Sequence, residues 1–225
     1  MKRSIGVVIL VLCGCGLASA TPLNLTFAAL PDLFTNQITG IYNVGTSALT
    51  IEGLSVSLQT TAAIPSCAST ACSISNSAPL GFGGNFLINA SVNSSGNLIA
   101  GTDNLTVTGN IATLGDGTPL LTANLDQFGY TTGAQAGVYD FVFTITGGSV
   151  ASVYGGTGQL LDVIVSDGGA NGLPGVFTSS FTTTTLGAAD IKAPATPEPA
   201  SMLLLLSGGG ILGLLRKRLR KLSVA

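Results

Sequence analysis

Apolar and polar residues alternate along most of the chain between position 21 and the late 180s. Successive side chains on a β-strand point to opposite faces, so this period of two predicts strands that bury one face and expose the other. The pattern is clearest in NFLINASVN and VYDFVFTI. The positions expected on the buried face are Phe86, Ile88, Ala90 and Val92 in the first stretch and Tyr139, Phe141, Phe143 and Ile145 in the second.

Further stretches extend this pattern. The positions assigned to a common face are Leu54, Val56 and Leu58 in LSVSLQ and Leu105, Val107 and Ile111 in NLTVTGNI. LLDVIVS and VFTSSF predict two more strands, and turn-forming Gly, Asn, Asp and Ser separate the stretches. About nine to eleven short strands at near-regular spacing predict an all-β fold, an antiparallel β-sandwich. A β-solenoid is the structural alternative, but the chain shows no repeat of fixed period.

Composition divides the chain into four parts. Residues 1–20 are predicted to form a signal peptide, 21–182 the β-sandwich domain, and 197–221 a separate C-terminal segment. From Thr182 the sequence changes to TTTTLGAADIKAPATPEPAS, in which Thr, Ala and Pro replace the alternating apolar residues. This composition predicts that residues 183–196 form an extended, semi-stiff linker.

Charge is distributed unevenly along the chain. All ten acidic residues lie between positions 21 and 198, where Lys192 is the one basic residue, so this stretch has a net charge of −9. A surface that binds phosphate groups needs Lys or Arg to displace counterions. The composition therefore excludes a nucleic-acid-binding domain.

The N-terminus has the three parts of a signal peptide. Lys2 and Arg3 form the charged region, IGVVILVLCGCGL is the apolar region, and Ala18 and Ala20 frame a small-x-small cleavage site. The mature chain is expected to begin near Thr21. Lipoprotein processing at Cys15 is an alternative, and a first transmembrane helix is disfavoured because the apolar run is short.

Cys67 and Cys72 remain after removal of the signal peptide. Two cysteines in an exported chain favour one disulfide, here closing a small loop. A redox pair, a metal pair and free thiols are the alternatives. The chain has no His, so the usual ligand set of a zinc site is incomplete.

The missing residue types exclude several chemistries. Without His, no Ser–His–Asp or Cys–His arrangement can form. A pair of carboxylates acting on a glycoside is still possible, with Asp140 or Asp162 as members. Calcium is the one metal considered, since it prefers oxygen ligands, and no other cofactor is expected. The calcium candidates are Asp116, Asp167 and Asn171, and the tyrosines considered as exposed sugar-binding platforms are Tyr42, Tyr130 and Tyr154.

The C-terminal segment combines a short apolar stretch with a basic cluster. Residues 200–215 carry no charge and would span about 24 Å as a helix, less than the ~30 Å hydrocarbon core of a bilayer. Three consecutive glycines, 208–210, weaken that helix further. The cluster that follows is expected to stay on the cytoplasmic side and consists of Arg216, Lys217, Arg218, Arg220 and Lys221.

The order of these parts resembles the PEP-CTERM sorting signal of Gram-negative bacteria. Pro197, Glu198 and Pro199 form the tripeptide, which precedes the apolar stretch and the basic cluster. The resemblance implies recognition by an exosortase, a membrane-embedded Cys-dependent transpeptidase, and processing near the tripeptide. It also implies passage through the Sec machinery, signal peptidase and inner membrane, and an association with extracellular polysaccharide.

The leading hypothesis is a non-enzymatic cell-surface or extracellular-matrix protein of this kind. One alternative is an extracellular polysaccharide-binding protein or a carboxylate enzyme acting on polysaccharide, which would need two acids about 5–10 Å apart in an open cleft. Another alternative is a surface protein that keeps its C-terminal segment as a permanent membrane anchor.

Overall fold

The computed structural model describes residues 23, 26–61, 63, 69–75, 85–111, 119–131, 137–166, 173–184 and 187–194. The predicted signal peptide and the predicted C-terminal apolar helix lie outside these residues. Across the described ranges, no helix has both the length and the apolar character needed to cross a membrane.

The described residues form ten strands and one short 3-10 helix, Ala151–Tyr154, and every strand pairing is antiparallel. The all-β prediction is therefore confirmed. The strands are β1 Phe27–Asn43, β2 Ala48–Gln59, β3 Ala71–Ser73, β4 Phe86–Ser91, β5 Asn104–Val107, β6 Leu121–Tyr130, β7 Val138–Gly147, β8 Leu160–Ser166, β9 Phe181–Thr184 and β10 Ala188–Pro194.

Eight of these strands close into a barrel, so the predicted sandwich is wrong. The order around the barrel is β1, β2, β4, β5, β6, β7, β8 and β10, and β10 pairs with β1 to complete the ring. The strands β3 and β9 lie beside β2 and β1 as short additions. Alternation predicts one buried face in either architecture and carries no information on whether a sheet closes on itself.

Half of the predicted linker 183–196 is part of the barrel. Residues 188–194 form β10, which is hydrogen-bonded to β1 on one side and to β8 on the other. Ala189 and Ile191 point into the core and are fully buried. The alternation spans only a few residues within a Thr- and Ala-rich stretch, so the composition predicted a linker and not a strand. VFTSSF is not a strand as predicted, because only its last residue, Phe181, belongs to β9.

The core confirms most of the predicted buried faces. The residues predicted from NFLINASVN, NLTVTGNI and VYDFVFTI are all buried. In LSVSLQ only Leu58 is buried, whereas Leu54 and Val56 are half-buried and Ser55 faces inward. The pairing of β2 with β1 shifts register here, and such a bulge reverses the side-chain alternation. The inward Ser55 hydroxyl lies 2.9 Å from that of Thr35.

The two ends of the barrel are closed by different loop residues. At the proximal end, defined by the pairing of Phe27 with Pro194, the buried cap consists of Val150, Ala151 and Tyr154. At the distal end, defined by the turn between β1 and β2, the cap consists of Leu173 and Phe177. The Phe177 ring lies within 6.0 Å of the ring centroids of Tyr42, Phe128, Tyr130, Tyr139 and Phe181.

Phe177→Ala is expected to lower the free energy of unfolding by about 3–5 kcal/mol, because it removes a buried ring and leaves a cavity among five aromatic neighbours. Urea denaturation measures the change. Val176→Ala is the matched control, since Val176 is 57% exposed and should change stability by less than about 0.5 kcal/mol. Equal small losses in both variants would contradict the role of Phe177 as the distal cap.

Candidate functional site

Most of the predicted site residues lie outside the described residues. Within them, Cys72 forms the centre of β3, is 2% exposed and is disulfide-bonded. Its partner lies outside the described part, so the pairing with Cys67 stays a prediction. The other predicted site residues outside the structure are Ala18, Ala20, Asp116, Asp167, Asn171, Pro197, Glu198, Pro199, Arg216, Lys217, Arg218, Arg220 and Lys221.

Strand β1 begins and strand β10 ends at the proximal end of the barrel. Phe27 at the start of β1 opposes Pro194 at the end of β10. Pro197, the first residue of the tripeptide, follows Pro194 by three residues, a span of at most about 11 Å. The C-terminal segment therefore leaves directly from a strand of the barrel wall, with no long spacer between them.

An acidic face covers the outside of β7, β8, β10 and β1. The cross-strand register aligns Asp162 with Lys192 and Lys192 with Asp32, and it aligns Asp190 with Ile164 of β8. The Lys192 Nζ lies 3.6 Å from Asp32 Oδ2 and 3.8 Å from Asp190 Oδ2. Lys192 thus forms its ion pairs toward β1 and along β10.

Asp140 and Asp162 are buried although they lie on the outer face. They are diagonal neighbours on β7 and β8, and their exposures are 5% and 4%. The segment before β1 reaches this face, where the Leu23 backbone N–H donates to Asp140 Oδ2 at 3.0 Å. With so little exposure, the pair does not form the open cleft that a carboxylate enzyme requires.

Burial is the largest cause of the raised pKa values of these two acids. Desolvation, with the charge of Asp140 as the second cause, raises the pKa of Asp162 to about 6. Desolvation also raises the pKa of Asp140, and the hydrogen bond from Leu23 opposes that rise. The pair is therefore held at a free-energy cost when both carboxyls are ionised.

A polar groove lies toward the distal end of the barrel wall. Its volume is about 590 Å³, and its lining includes Asp103, Asn104, Asn124 and Asp126 together with Ile99, which is 41% exposed. The register aligns three amides in one row across β4, β5 and β6, namely Asn89, Asn104 and Asn124. The groove thus offers both hydrogen-bond donors and acceptors.

A β-bulge positions one of the groove's carboxylates. Leu125 opposes Phe143 and Gln127 opposes Val142, so Asp126 is the extra residue of β6. Thr144 Oγ1 donates to Asp126 Oδ2 at 2.6 Å. The bulge also reverses the alternation: the buried side chains before it are Leu121 and Ala123, and those after it are Phe128 and Tyr130.

Two side-chain hydrogen bonds from β4 hold the groove residues Asp103 and Asn104 in place. Ser91 Oγ donates to Asp103 Oδ1 at 2.8 Å, and Asn89 Nδ2 donates to Asn104 Oδ1 at 3.2 Å. Sequence reasoning did not select these residues, since the cross-strand register that brings them together is invisible in the sequence. Within the described ranges, no three His, Cys, Asp or Glu side chains are placed to hold a metal ion.

The three tyrosines considered as exposed platforms are buried instead. Their exposures are 1% for Tyr42, 5% for Tyr130 and 4% for Tyr154. Tyr42 donates its hydroxyl to the Val92 carbonyl at 2.9 Å. These rings belong to the core and the end caps, where the hydroxyl still finds a partner.

Lys192→Gln is expected to lower the free energy of unfolding by about 1 kcal/mol at pH 7, because Asp32 and Asp190 lose their shared cation. The loss should be smaller near pH 3, because burial raises the pKa of Asp32 and its carboxyl then loses the charge that pairs with Lys192. Lys192→Arg should retain most of the stability. Urea denaturation at the two pH values measures the difference. An equal loss at both would show that Lys192 acts through packing.

The C-terminal segment is identified by comparison with known families. Residues 195–221 match the model of the PEP-CTERM protein-sorting motif. No curated protein and no solved structure matches the chain. The motif marks a protein for export and for sorting by an exosortase to the cell surface. The matched residues begin at the position that follows β10, so the chain carries a PEP-CTERM protein-sorting motif directly after the last strand of the barrel.

Proposed function

We propose that this chain is a non-enzymatic surface or matrix protein whose barrel is the cargo and whose last residues are removed near Pro197–Pro199. Signal peptidase cleaves after Ala20 in the same proposal. The observation that carries it is the direct passage from β10, which ends at Pro194, into the motif that begins at residue 195. The barrel and the sorting motif are therefore adjacent in the sequence, with no other domain between them.

The burial of the two candidate catalytic acids supports a non-enzymatic role. The acid pair considered for catalysis, Asp140 and Asp162, is at least nine-tenths buried. The chain has no His, and the span 21–198 has no Arg. A general acid or base must reach its substrate within hydrogen-bond distance, which this pair cannot do while it is covered.

The barrel geometry also supports an orientation at the membrane. Strand β10, which leads into the sorting motif, ends at the proximal end, whereas the polar groove lies toward the distal end. A chain held by its C-terminal segment would therefore face the membrane with its proximal end. The groove would point away from the cell.

Mass spectrometry of the protein from its native host is expected to find a mature form that lacks residues 200–225. Replacement of Pro197, Glu198 and Pro199 by Ala should retain the tail, and carbonate extraction should then leave the protein in the membrane fraction. Thr196→Val, beside the tripeptide, is the matched control and should be processed normally. A native protein that keeps residues 200–225 in every molecule would support the permanent-anchor alternative.

The groove favours a second candidate function, the binding of a neutral, hydroxyl-rich glycan. Asn104 and Asn124 supply amide donors and acceptors, and Asp103 and Asp126 supply further acceptors. The exposed Ile99 offers an apolar surface to the C–H face of a sugar. The lining has carboxylates and no basic side chain, so an anionic polymer would be repelled.

Asn124→Ala and Asp126→Ala are each expected to weaken binding of a neutral polysaccharide by about 3- to 10-fold, the effect of one lost hydrogen bond. Affinity gel electrophoresis with neutral and anionic polysaccharides measures the change. Val176→Ala, exposed near the same end of the barrel, should bind as the unmodified protein does. Unchanged mobility of all three variants would exclude the groove as the glycan site.

A further inference from the structure

Asp140 and Asp162 have no basic partner among the described residues. Lys192 is the one Lys or Arg within the described ranges, and its Nζ is paired with Asp32 and Asp190. The two acids are diagonal neighbours on β7 and β8, and both are buried. Two adjacent buried carboxyls without a cation resist full ionisation, because each charge opposes the other and neither is well solvated.

The backbone of Leu23 makes a polar contact with one member of this pair. Its N–H donates to Asp140 Oδ2 at 3.0 Å, and the two residues are 117 positions apart in sequence. The bond therefore joins a residue ahead of β1 to the outer face of β7. Hydrogen bonds to an ionised carboxylate are roughly twice as strong as those between neutral groups. The Leu23 contact thus favours a charge on Asp140.

The last proton of the pair belongs on Asp162. Desolvation, and then the charge of Asp140, raises the pKa of Asp162 to about 6, whereas the hydrogen bond from Leu23 opposes the rise at Asp140. Between the two ionisations the site therefore carries one negative charge, on Asp140, and one proton, on Asp162. Burial, repulsion and the Leu23 bond all favour this state.

Loss of that proton changes the site, since it places two negative charges on adjacent buried groups. The Nζ of Lys192 cannot neutralise them while it pairs with Asp32 and Asp190. The repulsion is relieved when Asp140 moves outward into water. That movement separates its carboxylate from the Leu23 N–H, so ionisation of one acid weakens a bond that its neighbour makes.

We propose that Asp140 and Asp162 form a pH-sensitive latch, which holds Leu23 on the barrel wall while the pair keeps one proton and releases it when that proton is lost. The latch is closed in mildly acidic surroundings and open above neutral pH. The pairing of β10 with β1 involves neither acid, so the barrel itself stays closed in both states.

Other ionisable groups lie on the strands around the pair. They are Asp126 on β6, Asp190 and Lys192 on β10, Asp32 on β1 and the inward-facing Tyr130 and Tyr139. Lys192 is paired with Asp190 and Asp32. Burial raises the pKa values of both tyrosines, so they stay neutral throughout the range in which the latch works.

Amide hydrogen exchange tests the latch in the protein isolated from its native host. The rate at Leu23 is measured by NMR and corrected for the intrinsic effect of pH. Protection of this amide is expected to fall by about tenfold or more between pH 5 and pH 8, since one pKa unit corresponds to a tenfold change. The amide of Phe141, a buried residue of β7, should stay protected at both pH values and shows that the barrel is intact.

Urea denaturation provides a second measurement. The pKa of Asp162 is about 6 in the folded chain against 3.8 as its ordinary value, so the folded state binds the proton more tightly. The free energy of unfolding should therefore fall as pH rises from about 4 through 6. Asp162→Asn should remove this fall, because the amide does not ionise.

Three variants separate the latch from a general effect of charge. Asp162→Asn should keep Leu23 protected at both pH values, and Asp140→Asn, which removes the charged acceptor, should leave it weakly protected at both. Asp126→Asn is the matched control, because Asp126 lies on the exposed part of β6 and should keep the normal pH response. Equal protection of Leu23 at pH 5 and pH 8 in the unmodified protein, or the same fall in Asp162→Asn, would overturn the proposal.

Discussion

The pairing of β10 with β1 is the interaction on which the rest of the structure depends. Without it, the sheet would end in two open edges with unpaired backbone N–H and C=O groups, which favour association with other chains. The closing pairs bring Phe34 opposite Asp190 and Phe27 opposite Pro194. The same pairs align the outward side chains of four strands into the acidic face. They also place the start of β1 beside the end of β10.

The interior could be predicted from the sequence wherever a strand is regular. Tyr139, Phe141, Phe143 and Ile145 are buried as the period of two requires. The prediction failed at bulges, since one extra residue exchanges the two faces. Ser55 faces inward for this reason, and so do the side chains of Phe128 and Tyr130 after the bulge at Asp126. Closure itself could not be predicted, because the strands of a barrel and of a sandwich show the same alternation.

Some of the candidate sites could likewise be predicted from the sequence, and others could not. The C-terminal signal could be recognised from the sequence because it is read as a linear order of tripeptide, apolar stretch and basic cluster. The groove and the acidic face depend on register between strands that are distant in sequence, such as Asn89 with Asn104 and Asp162 with Lys192. Acids placed on a strand's polar side were expected to be solvated. Asp140 and Asp162 are buried instead, and the Leu23 N–H donates a hydrogen bond to Asp140.

Because β10 closes the barrel, its late position in the sequence affects when the barrel can fold. Phe34 and Asp190 are 156 residues apart in sequence, so the ring is completed by one of the least local contacts in the chain. In a chain that crosses a membrane N-terminus first, β10 is the last strand to emerge, and residue 195 follows immediately. In such a chain the barrel could close only after β10 had emerged, when the sorting motif would be the next segment to enter the membrane. The same short stretch of chain would then complete the fold and present the signal.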